Sequence, residues 1–283
     1  MWSSLVEYHQ PKRISAALKL LDRSTPRTVP LAGGVWLVAR RDPSIQAVVD
    51  LSALGLDFIE PRKGRLRLGA ITTLQTLADH PILREFAGGL IRLASRASAP
   101  RPIRNVATLG GTLVAADSTS EIGLALLALE AQVVVRTPNR NVVNLDSFFA
   151  DPVAQLPSHA LITEVSIPIP SANIGTALAD IRRTPKDRPI VNAVALVSLQ
   201  RGTIRKARLA LGGVAPRPIR LSPVEAALPG HSLNEAKFSE IAALVREAIS
   251  PPSDGRASAE YRREMASVVA LRALREAWEG AKE

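Results

Sequence analysis

The sequence predicts an α+β protein built in two parts, and three observations carry that reading. The chain has 283 residues, too many for one small core and suited to about two domains. Its first 170 residues alternate short strand signatures with short amphipathic helices. Beyond Pro168 to Gly175 (PIPSANIG), which reads as a linker, the pattern becomes two strands followed by two helices.

Leu5 to His9 reads as extended. Pro11 precedes an amphipathic stretch with Ile14, Ala17, Leu18 and Leu21 on one face, and AVVDL (Ala47 to Leu51) is the next strand. Together these make a small βαββ-like unit of residues 1–55. Arg65 to Ile71 alternates with Leu66, Leu68 and Ala70 inward. Thr73 opens a helix stopped by Pro81, and a second helix is expected over Ile82 to Ala97. Pro100 and Pro102 argue for an extended segment before Gly110. Ser118-Thr119-Ser120-Glu121 matches a capping box opening a helix to about Ala131, and Gln132 to Arg136 is a strand. Ile190 to Leu199 and Ile204 to Gly212 are strands joined at Arg201-Gly202. Helices over Glu235 to Ile249 and Ala259 to Trp278 end the chain. In the last, Tyr261, Met265, Val268, Leu271, Leu274 and Trp278 form a core stripe. No internal repeat is expected.

Two Gly-Gly turns, each flanked by strand-like apolar sequence, are the most informative local features. They are LAGGVWLV (Leu31 to Val38) and ATLGGTLVAAD (Ala107 to Asp117). Such a pair permits positive φ and removes the Cβ atoms that hold a ligand away, so that backbone N–H groups can converge on an anion. Two such turns can grip both halves of a pyrophosphate. A lone Gly-Gly is more often a simple turn, and Gly88-Gly89 and Gly212-Gly213 are read that way. Neither informative turn has the Gly-Lys-Ser/Thr of a phosphate loop or the Gly-x-Gly-x-x-Gly of a Rossmann fold.

Composition narrows the function classes. Hydrophobic residues are 46% and aromatics 4%, so the cores are aliphatic. The longest apolar run, Ile122 to Val135, is interrupted by Glu130 and Gln132, which argues against a membrane-spanning helix. The first residues lack a signal peptide's apolar region, so a cytoplasmic location is expected. With no cysteine there is no disulfide, thiolate zinc site or iron–sulfur cluster on this chain. The four histidines are scattered, so no metal site is expected. Net charge is +10, but the basic residues form no tract and stacking aromatics are scarce, which disfavours nucleic acid. An arginine-rich genome bias or a docking face for an acidic partner accounts for the charge better.

The ordered motifs LAGGVWL, RNVATLGGTLVAAD with Glu121, and SDGRASAEYRREMASVVALRAL (Ser253 to Leu274) resemble the FAD-binding medium subunit of the xanthine dehydrogenase superfamily. Within it, the chain looks most like the carbon-monoxide dehydrogenase type of molybdenum hydroxylase. The resemblance spans essentially the whole chain. It implies an FAD-binding domain of the vanillyl-alcohol-oxidase/PCMH-like kind over residues 1–170, with subdomains of about 1–55 and 56–170 and the cofactor between them. It also implies a carbon-monoxide dehydrogenase flavoprotein C-terminal-like domain over 175–283, with an antiparallel sheet and packed helices. The implied role is electron transfer from the clusters of an iron–sulfur small subunit to an external acceptor. A molybdenum-cofactor large subunit completes the complex, expected as a dimer of heterotrimers. A flavin-free assembly subunit is the alternative.

Carried over residue by residue, the cofactor-binding positions are Ala32, Gly33, Gly34, Val35 and Trp36 in the first loop. In the second they are Thr108, Leu109, Gly110, Gly111 and Thr112, followed by Glu121 and Ile162. No catalytic residue and no metal ligand is implied. The chain departs from the family's pattern at Val35 and Trp36, where polar residues are usual, and at Thr112, where Asn is usual. Glu121 replaces an Asp, Leu178 a Lys, and Arg188 the Tyr of an Asp-Tyr pair.

Overall fold

A computed structural model describes residues 4–115, 117–170, 173–185 and 187–282. Its first elements are β1 (Glu7–His9), α1 (Ile14–Leu21), β2 (Thr28–Leu31), α2 (Val35–Arg40), β3 (Ala47–Asp50), β4 (Ile59–Arg62) and β5 (Arg65–Gly69). Then come α3 (Leu74–Asp79), α4 (Leu90–Ser98), α5 (Arg101–Arg104), α6 (Leu109–Ala115), α7 (Glu121–Ala128), β6 (Gln132–Arg136) and β7 (Arg140–Asn144). The rest are α8 (Leu145–Ala150), α9 (Pro152–Gln155), β8 (Leu161–Pro168), β9 (Ile174–Ile181), β10 (Val191–Gln200), β11 (Thr203–Gly212), β12 (Ile219–Arg220), α10 (Ser222–Ala227), α11 (Glu235–Ala248) and α12 (Ala259–Gly280). They form two compact units. The first comprises Met1–Leu77, Arg101–Ala115 and Ala131–Pro168; the second comprises Ala78–Pro100, Ala116–Glu130 and Ile169–Glu283.

The first unit holds two sheets. One is parallel, with β3 between β1 and β2. Ala47, Val48 and Val49 are all buried, as a central parallel strand requires. Ala17 and Leu21 of α1 pack against Val49 and Leu51. The other sheet is antiparallel, in the order β4-β5-β8-β6-β7. Leu66 and Leu68 of β5 face its core, while the Arg67 guanidinium grips Glu164 on β8 through both donor arms.

Several local expectations change. The apolar sequence after each Gly-Gly turn is helix, not strand: VWLVAR forms α2, and the second Gly-Gly lies inside α6. Gly34 takes the left-handed conformation (φ 72°) that starts α2 at a sharp reversal. The segment carrying Pro100 and Pro102 contains the single helical turn α5 rather than extended chain. Pro102 is the second residue of that turn, where a backbone N–H has no helical acceptor anyway.

The helix expected over Ile82 to Ala97 is broken into two 3₁₀ turns and α4, because Ala87, Gly88 and Gly89 all have positive φ. The cap of α7 is Ser120, not Ser118. Its Oγ accepts the Gly123 N–H at 3.2 Å, so Glu121 is the first helical residue. The linker segment crosses Ser171 and Ala172, which lie outside the described residues, as do Met1 to Ser3, Ala116, Lys186 and Glu283. Gly175, read as linker, already belongs to β9.

In the second unit an antiparallel sheet runs β12-β11-β10-β9. Arg201 (φ 53°) and Gly202 (φ 79°) make the tight turn between β10 and β11. Helix α12 packs on this sheet, but its buried face differs from the expected stripe. Tyr261 is exposed; Ala266, Ala270, Ala273 and Ala277 are fully buried, with Leu274 and Trp278. Small residues bring the helix backbone close to the strands. At Gly175 the approach is so close that a Cβ would sit 2.0 Å from the Ala277 carbonyl oxygen.

The SDGRASAEYRR motif fastens the helix start. Ser258 caps α12 by accepting the Tyr261 N–H at 3.1 Å. Arg262, only 3% exposed, donates to both oxygens of Asp254 at 2.8 Å and to the carbonyls of Ile190 and Gly213. That ion pair, with the Arg256 and Ala257 N–H groups, holds the Asp254 carboxyl down at about 2.

The hexapeptide APRPIR occurs twice, at 99–104 and 215–220. Its last four residues form helix α5 in the first copy, while Ile219–Arg220 is strand β12 in the second. Partner contacts, not local propensity, decide between them.

Gly175→Ala is expected to lower the melting temperature by several degrees, since overpacking costs about 1–3 kcal/mol. Gly255→Ala, where a Cβ meets nothing within 4 Å, is expected to leave it unchanged in the same thermal scan.

Candidate functional site

The two glycine loops meet in the first unit. The first leaves the end of β2 as Ala32-Gly33-Gly34 and enters α2. A Cβ on Gly33 would lie 1.7 Å from the Val106 carbonyl oxygen and 3.3 Å from the Ala107 Cα. Only a glycine lets the first loop rest against the turn that leads from α5 to the second. Thr108 through Thr112 follow directly.

The second loop is anchored from beneath. Leu74 donates its N–H to the Ala107 carbonyl, Leu109 to Thr72 at 2.9 Å, and Gly110 to Ala70 at 2.7 Å. A Cβ on Gly110 would press to 3.0 Å on Ala70. Ala70 in turn donates to the Thr163 carbonyl, the residue after Ile162 on β8. Thus Ala32 to Trp36, Thr108 to Thr112 and Ile162 belong to one connected region. Ile162 is buried at 6% exposure, within the region rather than on its face.

The loops differ in what they leave available. In the second, Gly111 N–H donates to the Thr108 Oγ1 at 3.3 Å and Thr112 N–H to the Thr108 carbonyl. The Thr112 hydroxyl donates to that same carbonyl at 2.9 Å. Every N–H from Leu109 to Thr112 is therefore engaged inside the protein. In the first loop no side chain caps α2. Among the described residues, the N–H groups of Gly34, Val35 and Trp36 have no acceptor. Backbone N–H groups without an acceptor among the described residues thus occur in the first loop, whereas those of Leu109 to Thr112 are taken. The second offers an exposed side-chain-free surface at Gly111.

The segments that flank this junction carry exposed apolar side chains. Val35, Trp36 and Val38 of α2 are exposed, as are Ile103 and Val106 in the approach to the second loop and Val114 in α6. None of the residues of α2 is buried, although its sequence is almost wholly apolar. Trp36 carries the Arg40 guanidinium over its ring, 4.2 Å from the centroid.

Glu121 belongs to the second unit. Its side chain is 7% exposed at the start of α7. Arg182, just past β9, reaches its Oε1 at 3.5 Å and holds Asp180 at 2.6 and 2.7 Å. Burial dominates and pushes the Glu121 carboxyl up to about 7, with its own backbone N–H and Arg182 opposing that rise. Leu178 lies within β9. Arg188 forms an ion pair with Asp117. Sequence reasoning singled out neither Arg182 nor Asp180. Their signal, two charged residues spaced by two at a strand end, is weak without the fold.

Among the described residues no group of three or more His, Asp or Glu side chains is arranged to hold a metal, and no helix is long and apolar enough to cross a membrane.

Comparison with known proteins matches this architecture. Residues 4–170 match the family described as the FAD binding domain in molybdopterin dehydrogenase, and residues 176–277 the CO dehydrogenase flavoprotein C-terminal domain. The glyceraldehyde dehydrogenase medium chain of Sulfolobus acidocaldarius is 28% identical over 98% of this chain and 99% of its own length. The carbon monoxide dehydrogenase medium chain of Afipia carboxidovorans is 28% identical over 98% of each. Among solved structures, carbon monoxide dehydrogenase from Hydrogenophaga pseudoflava superposes with a TM-score of 0.91 at 27% identity, covering 97% of this chain and 98% of that one. Joined glycine loops, a C-terminal antiparallel sheet under packed helices and matches along nearly the whole length agree: the chain belongs to the FAD-binding domain family of the molybdopterin dehydrogenases, an oxidoreductase component whose cofactor is FAD.

Proposed function

We propose that this chain is the electron-transfer subunit of a molybdenum hydroxylase complex. It takes electrons from a partner's iron–sulfur clusters and passes them to an external acceptor. The relatives named as medium chains support a complex with a smaller and a larger subunit. In this reading these are an iron–sulfur small subunit and a molybdenum-cofactor large subunit, assembled as a dimer of heterotrimers in the cytoplasm. The proposed division is a flavin domain over residues 1–170 and a C-terminal domain over 175–283.

The observation that carries the reading is the contact of Gly33 with Val106. It sets unpartnered N–H groups beside a glycine surface and exposed apolar side chains. A diphosphate needs donors and close approach, and the aromatic and ribityl parts need apolar cover. The residues present fit FAD on those grounds. Gly34, Val35 and Trp36 would donate to the diphosphate. Gly111 would let it approach, with Ala32, Thr108, Leu109, Gly110 and Thr112 shaping the loops. Ile162 would back the second loop, and Glu121 would contact the cofactor through its carboxyl. FAD, when bound, supplies the one- and two-electron exchange, and the protein supplies binding and orientation.

A flavin-free assembly subunit is the second reading. It is favoured by one observation: neither loop offers a free side-chain hydroxyl, since Val35 and Trp36 are apolar, the buried Thr108 hydroxyl accepts the Gly111 N–H and the Thr112 hydroxyl is engaged. The absorption spectrum of the purified complex decides between them. Flavin and iron–sulfur bands together are expected. A fully assembled complex with iron–sulfur bands alone would establish the second reading. Gly33→Ala is expected to weaken FAD binding tenfold or more while assembly persists, measured by flavin released on gel filtration. Retention equal to wild type would remove the loop junction from the account.

Glu121 gives a pH signature. Its folded value lies above its ordinary 4.5, so the folded chain keeps a proton that the unfolded chain loses. Stability contributed by this group is complete below pH 4.5, falls as pH rises toward about 7 and is gone above it, a change on the order of 3 kcal/mol. Glu121→Gln is expected to match wild type in melting temperature at pH 5 and to exceed it by several degrees at pH 8.

A further inference from the structure

We propose that Arg182 is the positioning residue of the Glu121 carboxyl, and that Asp180 clamps Arg182 in that place. The inference rests on the reading of Glu121 as a cofactor contact only for its functional consequence. The geometry stands by itself.

Arg182 has little freedom. Its Nε and one terminal nitrogen take the two oxygens of Asp180 at 2.7 and 2.6 Å, the planar two-pronged pairing that fixes a guanidinium in orientation. Its other terminal nitrogen donates to the Asp187 carbonyl at 3.2 Å. The nitrogen that holds Asp180 is the one that reaches Glu121 Oε1 at 3.5 Å. Asp180 therefore has the shorter, doubled hold on the cation, and Glu121 a longer, single one.

The other charged groups nearby are accounted for. Asp117, ahead of α7, is paired with Arg188. Asp187 pairs with Arg183 at 2.8 Å. Arg256 donates to the Arg188 and Pro189 carbonyls. From β10, buried Asn192 donates to the Thr119 carbonyl at 3.0 Å and brings no charge. Arg182 is thus the cation that bears on Glu121 among the described residues, and Asp180 the carboxylate that competes for it. Two carboxyls sharing one fixed cation leave the more buried one weakly compensated. Such a group changes its protonation near neutrality and responds to any charge placed beside it.

The two residues have opposite effects. Removing the Arg182 charge strips Glu121 of its cation and favours the neutral acid. Removing the Asp180 charge frees Arg182 for Glu121 and favours the carboxylate.

The test is an infrared pH titration of the purified holo-complex, with the Glu121 carboxyl band identified by its loss in Glu121→Gln. Arg182→Gln is expected to move the midpoint up by about one pH unit or more, and Asp180→Asn to move it down. Arg182→Lys keeps the charge without the fork and is expected to fall between wild type and Arg182→Gln. Circular dichroism checks that each variant folds. An unchanged midpoint in folded Arg182→Gln, or shifts of the same sign in both variants, overturns the proposal. The pH dependence of the FAD dissociation constant is read in parallel. If its midpoint follows the infrared one, both the positioning role and the cofactor contact stand. If the infrared midpoints shift as expected while FAD affinity stays flat with pH, the positioning role stands and the cofactor contact of Glu121 falls.

Discussion

The contact of Gly33 with the Val106 carbonyl is the constraint on which the proposed site depends. A 1.7 Å clash for any Cβ means that the first loop reaches the second only because a hydrogen stands there. From that junction the connections run downward. Leu109 and Gly110 hang on Thr72 and Ala70, and Ala70 is tied to Thr163. A loop supported by two neighbouring strands of one sheet has few ways to move, so its free groups stay where the fold puts them.

The asymmetry of the loops is the less expected result. Consecutive glycines suggest a ring of backbone donors, yet those of the second loop are consumed by the turn after β5, at Ala70 and Thr72, and by the loop's own Thr108. Its glycines serve shape. Gly110 allows contact with Ala70 and Gly111 leaves an open surface, whereas donor capacity lies with Gly34, Val35 and Trp36. The substitution of polar side chains by Val35 and Trp36 therefore changes the exposed side chains and leaves the backbone donors untouched. Arginines near Glu121 follow the same economy of roles: Arg188 is engaged by Asp117, and Arg182 is divided between two carboxyls.

Much of this was legible in the sequence, for identifiable reasons. Glycine pairs mark positions no other residue can fill, so the loops stood out. Leu66 and Leu68 alternate with Arg65 and Arg67, so β5 was plain, and the Arg201-Gly202 turn set the β10–β11 hairpin. The helices after the glycine turns were not legible, because VWLVAR has strand-like composition and turns helical only after the left-handed step at Gly34. The two APRPIR copies make the same point, since one sequence is helix in one place and strand in another. The Glu121–Arg182–Asp180 cluster joins residues about sixty positions apart, and the Arg262–Asp254 clamp also reaches Ile190. Local pattern carries no record of such partners. The alanine face of α12 was hidden because large residues draw the eye, while close helix–sheet approach needs small ones.

The most direct measurement is a crystal structure of the complex with FAD bound. The diphosphate is expected within hydrogen-bond distance of the Gly34 and Val35 N–H groups and in bare van der Waals contact with Gly111. A diphosphate held elsewhere, with the Gly33–Val106 junction facing solvent, would contradict the account.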